Sequence, residues 1–162
     1  MPNIGKVISS HNQKVLNPPD DTPPCVCRAE CQVEKECEKK SVIYKCRVKE
    51  LQSGQEETYV GLTANSFKSR LTKHNKSFRD RNYNPTSLSK HIWKLRDANK
   101  QFQISWQIID QAKPFNPASK MCNLCLREKY FIIYKKKKAT LNKKNEFFGY
   151  CLHKNKYSIA NH

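Results

Sequence analysis

Hydrophobic and polar positions change their period several times along the chain. Residues 41–48 (SVIYKCRV) and 57–63 (ETYVGLT) are rich in β-branched and aromatic side chains. The polar stretch between them carries one glycine, which predicts an antiparallel hairpin with a long turn. Asn65 or Ser66 then suits a helix N-cap, and Phe67, Leu71 and Phe78 follow at helical spacing. Leu88, Ile92 and Leu95, at i, i+4 and i+7, predict a second helix. Phe102, Ile104, Trp106 and Ile108 alternate as in a half-buried strand. After the breaker PFNP (114–117), residues 119–136 read as a longer helix with Leu124, Glu128 and Phe131 near one another by spacing. The lysine run 135–138 reads as its solvated end, and a turn and a last short helix close the chain. The order β-β-α-α-β-α implies an α+β fold, a small three-stranded antiparallel sheet flanked by helices. No internal repeat is visible.

Length and composition divide the 162 residues further. Residues 1–24 end in NPPDDTPP, and prolines that fix φ and remove donors mark a flexible linker or tail. Residues 25–40 are too short and polar for a core of their own and form a Cys-rich knuckle. Residues 41–157 hold the main domain, and 158–162 a tail. The N-terminus lacks the apolar stretch of a secretory signal, so eight cysteines favour metal ligation or free thiols over disulfides. Cys25, Cys27, Cys31 and Cys37 offer four thiolates, enough for a tetrahedral Zn²⁺ site; the alternative is a reduced, unstructured Cys-rich linker. Cys122 and Cys125, with Cys151 and His153, offer a second zinc site that would tie the Glu128 helix to the C-terminal tail. Alternatively, Cys122 and Cys125 are small buried hydrophobes one helical turn apart.

Charge narrows the partners. Thirty-one Lys and Arg against fourteen Asp and Glu give a net charge of +17, which points to a polyanion and first to nucleic acid. A ribosomal or RNA-binding protein would carry the same charge. No apolar run approaches the ~18 residues of a membrane span. The expectation is a soluble protein that meets DNA in the nucleus.

The hairpin tyrosines and the later helical residues resemble the GIY-YIG nuclease domain. Val42-Ile43-Tyr44 stands where that family has Gly-Ile-Tyr, and Tyr59-Val60-Gly61 where it has Tyr-Ile-Gly. Arg70 and His74 match its helical R-x-x-x-H, Glu128 its metal-binding glutamate, and Asn142 its late asparagine. The likeness covers residues 42 to about 145. Within the family the chain looks most like the endonuclease of Penelope-like retroelements, through YVGLT, FKSR, TSLSKHIWKL, ISWQI, CNLCLREK, LNK and a terminal Cys-x-His. Residues 8–17 resemble the segment that joins reverse transcriptase to endonuclease in those elements. Val42 departs from the motif's glycine, and the pattern does not account for Cys46.

The resemblance implies a GIY-YIG fold and a metal-dependent DNA endonuclease that leaves a 3′-OH to prime reverse transcription. A reverse transcriptase domain of the parent element would be its partner. Glu128 would hold Mg²⁺ or Mn²⁺ through a hard oxygen, and Arg70 would grip phosphate through paired bonds. Tyr44 would take, or relay, the proton of the attacking water. Tyr59 and His74 would complete the network, and Asn142 would orient the metal shell or a tyrosine. His91 reads as a packing or DNA-contact residue. The rival is a catalytically inactive zinc and nucleic-acid-binding module descended from such an element.

Overall fold

The computed structural model describes residues 22–27, 30–112, 123–134 and 139–142. Its elements are β1 (Val42–Glu50), β2 (Glu56–Thr63), α1 (Phe67–Arg79), α2 (Ser87–Asp97), β3 (Phe102–Gln111) and α3 (Asn123–Tyr134). The three strands form one antiparallel sheet in the order β2-β1-β3, so the first strand lies at the centre. The α+β class and the β-β-α-α-β-α order expected from the hydrophobic pattern are both present. The hairpin strands run closer to the turn than the pattern suggested, ending at Glu50 and resuming at Glu56. The short closing helix falls outside the described residues, as do Cys122, Cys151, His153 and the 135–138 lysines.

The period-two rule assigns the sheet two faces. Val42, Tyr44, Cys46 and Val48 point to one face and enter a core with Tyr59, Phe67, Phe78, Leu88, Ile92, Leu95 and Trp106. Ile43 and Val60 point to the other, where α3 adds Leu124, Cys125 and Ile132. Cys125 lies in this second core, 2% exposed. Val42, at the motif's glycine position, is fully buried between Thr63 and Gln111 and fills core volume there. Cys46 pairs in register with Tyr59 on one side and Trp106 on the other. A small side chain fits between those two large rings, which gives the residue a packing role.

Helix α1 starts at Ser66, whose hydroxyl accepts from the Ser69 N–H at 3.3 Å. Phe67, His74, Ser77 and Phe78 form its buried face. Helix α2 opens with a capping box between Thr86 and Ser89 and buries Leu88, Ser89, Ile92 and Leu95. The two helices lock where the Trp93 indole donates to the Ser77 carbonyl at 3.0 Å. The guanidinium groups of Arg81 and Arg96 lie over that indole, at 5.6 and 4.9 Å from its centroid. Helix α3 is pinned to the end of β3 by Arg127, which pairs with Asp110 at 2.6 Å and donates to the Gln111 carbonyl at 3.2 Å. The Cys-rich segment shares the main core, because Val33 and Cys37 are buried in the same cluster as Tyr44. Among the described residues no helix is long and apolar enough to cross a membrane.

Candidate active site

Tyr44 sits at the centre of the first core with no exposed surface. Its ring meets Phe67 edge-on at 5.3 Å and lies 5.9 Å from Trp106 and 6.4 Å from Tyr59. The phenol oxygen accepts from Arg70 Nε at 2.9 Å and lies 2.7 Å from His74 Nε2. Arg70 and His74 are one helical turn apart on α1, so a single helix face delivers both to one hydroxyl. Gly61 stands directly across from Tyr44 in the sheet. A Cβ there would lie 2.5 Å from the Tyr44 hydroxyl, 2.6 Å from Tyr44 Cζ and 2.9 Å from Tyr59 Cε1. The glycine of Tyr-Val-Gly is the gap through which Tyr44 reaches α1.

Burial drives the protonation states. His74 is 2% exposed, and desolvation, helped by the Arg70 charge, lowers its pKa from 6.5 to about 3. It is a neutral imidazole at physiological pH. Because Arg70 donates to the phenol oxygen, the phenol proton is free to point at an unprotonated Nε2, with the ring proton on Nδ1. Burial likewise raises the pKa of Tyr44, with the nearby Tyr59 adding to it and Arg70 opposing it. Tyr59 is also raised, by burial first, against the pull of Arg70.

Glu128 arrives from α3 and is partly exposed. Its carboxyl acts electrostatically on Tyr44 and Tyr59 and feels Arg70 in return. Burial raises its pKa from 4.5 to about 7, against the opposing charges of Lys129 and Arg70. Among the described residues no ion pair within 4.0 Å engages Glu128 or Arg70.

Asn142 works through the backbone. Its Oδ1 accepts from the Val60 N–H and its Nδ2 donates to the Val60 carbonyl, both at 2.8 Å. Thr140 Oγ1 accepts from the Thr58 N–H at 2.8 Å, and the Leu141 N–H donates to the Thr58 carbonyl at 2.8 Å. Residues 140–142 thus satisfy the outer edge of β2 on both sides of Tyr59. The site therefore brings together Tyr44, Tyr59, Arg70, His74 and Glu128, with Asn142 holding the strand that carries Tyr59. Thr140 belongs to the same clasp, and no motif in the sequence marks it. His91 lies elsewhere, lining a cavity of about 320 Å³ with Glu50, Glu57 and Lys94.

The four cysteines of the knuckle form a second constellation. The sulfurs of Cys25, Cys27, Cys31 and Cys37 all lie within 4.8 Å of one another. Cys37 Sγ is 3.5 Å from Cys27 Sγ and 3.3 Å from Cys25 Sγ. In a tetrahedral site with Zn–S bonds of about 2.3 Å the sulfurs stand about 3.8 Å apart. The set fits a metal ion such as zinc. The turn that follows Cys31 has positive φ at Glu34 and Lys35, which aims the Lys35 N–H at Cys31 Sγ, 3.2 Å away. Burial pushes the Cys31 thiol up, but N–H groups of Val33 and Lys35 and the neighbouring thiols outweigh it and bring it to about 7. The other four-ligand set, Cys122, Cys125, Cys151 and His153, lies outside the described residues except for Cys125.

Comparison of the chain with protein-family models, with curated proteins and with solved structures gave no match in any of the three.

Proposed function

We propose that the protein is a metal-dependent DNA endonuclease of the GIY-YIG type, like those of Penelope-like retroelements. The observation that carries this reading is the Tyr44 hydroxyl, held between Arg70 and His74 beneath Gly61, with Glu128 at the same cluster. Phosphodiester hydrolysis needs a cation on the phosphate, a path for the water proton and help for the leaving oxygen. Arg70 keeps Nε on Tyr44 and offers its remaining N–H groups to phosphate oxygens in a fork. The proton of the attacking water would leave by way of the Tyr44 oxygen to solvent, while His74, kept neutral by burial and by the Arg70 charge, accepts the phenol hydrogen bond and orients that hydroxyl. Tyr59, whose hydroxyl also engages Arg70, would fix the orientation of the attacking side. Mg²⁺ or Mn²⁺ at Glu128 would neutralise charge on the phosphate and on the leaving oxygen. The 3′ oxygen would leave with its charge stabilised and take a proton from solvent, giving the 3′-OH from which a reverse transcriptase extends.

Charge supports DNA as the substrate. Residues 66–100 hold ten Lys and Arg against two Asp, and Lys73, Lys76 and Arg79 are exposed on the helix that carries Arg70. The four-cysteine site takes Zn²⁺ in this account, as scaffold and not as a reacting centre. The test is nicking of supercoiled plasmid in Mg²⁺ or Mn²⁺, with the wild type set against Glu128→Ala. Cleavage that disappears with the carboxylate is the expected result. Equal cleavage by both proteins, or none by a wild type that binds DNA, refutes the enzyme and favours the inactive binding module.

A further inference from the structure

The first four N–H groups of a helix have no partner within it. In α1 those of Phe67, Lys68 and Ser69 all find partners, and two of the three are satisfied from the cysteine knuckle. The Phe67 N–H donates to the Lys39 carbonyl at 3.1 Å and the Lys68 N–H to the Cys37 carbonyl at 2.7 Å. The Ser69 N–H goes to Ser66 Oγ at 3.3 Å, and the Arg70 N–H makes the first bond of the helix itself, to the Ser66 carbonyl at 3.2 Å. Lys68 Nζ adds an ion pair to Glu38 at 3.1 Å. The knuckle also reaches the ring cluster through the core, since Val33 and Cys37 are buried with Phe67, and Phe67 touches Tyr44.

We propose that metal binding at Cys25, Cys27, Cys31 and Cys37 positions the first turn of α1 and thereby sets Arg70 and His74 on Tyr44, with Cys37 as the link. The functional half of this rests on the nuclease reading of Arg70 and His74. Cys37 offers its sulfur to the metal site and its carbonyl to the helix, so a metal that fixes one fixes the other. Among the described residues of 25–40 only Val33 and Cys37 are buried apolar side chains, so a bound metal would add the larger share of the segment's order. With the thiols unligated, the carbonyls of Cys37 and Lys39 lose their fixed place, and the turn that ends in Arg70 loses two of the three acceptors of its first N–H groups. The knuckle acts on the site as a positioning element and touches none of the reacting groups.

The experiment strips the full chain with a chelator, restores Zn²⁺ alone, and follows amide hydrogen exchange residue by residue. Stripping is expected to speed exchange at Phe67 and Lys68 by about tenfold or more, with Zn²⁺ restoring protection, while Tyr59 and Val60 stay protected. Unchanged exchange at Phe67 and Lys68, or acceleration spread evenly over the sheet, overturns the proposal. Lys68→Pro probes the link, because it deletes the N–H to Cys37 within the first turn, and unchanged exchange protection of α1 beyond Arg70 shows that the helix itself is kept. It should keep its zinc and nick DNA at least about tenfold more slowly than Lys68→Ala, which controls for the lost charge. Equal nicking by the two variants overturns the proposal. The two readings fail separately. If the amides respond to zinc but no form of the chain nicks DNA, the nuclease reading falls and the clamp stands. If a stripped chain resupplied with Mg²⁺ nicks normally, the clamp falls and the nuclease stands.

Discussion

At Gly61 a methyl group would stand 2.5 Å from the Tyr44 hydroxyl and 2.9 Å from the Tyr59 ring, so Gly61→Ala has to push both tyrosines away. Overpacking of this kind costs about 1–3 kcal/mol, and urea melts should show a loss in that range together with lost nicking. His74 gives a second residue-scale expectation. Its folded pKa of about 3 lies below the unfolded 6.5, so the unfolded chain takes up the proton first as pH falls. The stability His74 contributes is complete above pH 6.5 and is lost as pH drops from there toward 3. Glu128 acts oppositely: raised to about 7 from 4.5, it contributes most below pH 4.5 and loses this as pH rises through 7. A bulk melt mixes the two, so the clean measurement is the His74 ring resonance by NMR. It should stay at its neutral position from pH 8 to pH 5, and a midpoint near 6.5 would contradict the buried Tyr44–His74 pair.

Elements explain what residue spacing hides. The periods of 41–48, 57–63 and 102–108 announced three strands, and the heptad-like spacing of Leu88, Ile92 and Leu95 announced α2. Nothing in the sequence says that β1 is central, because strand order follows from contacts between distant residues. Tyr44, Arg70 and His74 were legible as a candidate set only through family likeness; spacing alone marks Arg70 and His74 as one helix face. The clasp of residues 140–142 on β2 was illegible for a similar reason. Asn142 reads locally as a turn residue, and its partners at Val60 lie 82 positions away. Asn142→Ala removes two hydrogen bonds to the Val60 backbone, which should cost about 1–3 kcal/mol in a urea melt. Nicking should fall with it, whereas Asn142→Asp keeps only the bond from the Val60 N–H and should fall between. The cysteine spacing did expose four thiolates, but not that Val33 and Cys37 share a core with Tyr44.

Across the whole molecule the net charge of +17 suits a polyanion, and DNA is the one proposed here. Each phosphate neutralised releases counterions, so binding to DNA should weaken steeply as salt rises. Lys73→Gln and Lys76→Gln should each weaken binding across all sequences and flatten the salt slope by about one. An unchanged slope in both would take the DNA surface away from α1. The sheet, α1 and α3 converge on one point: β1 and β2 supply the tyrosines, α1 the arginine and histidine, and α3 the carboxylate. The claim that these three elements make a single reacting site is tested most directly by a double-mutant cycle. Single-turnover nicking is measured for the wild type, Arg70→Ala, Glu128→Gln and the double variant, at saturating DNA in Mg²⁺. Groups that act as one unit predict a double variant about as slow as the slower single one. Losses that multiply, or a single variant as fast as the wild type, would contradict a shared site.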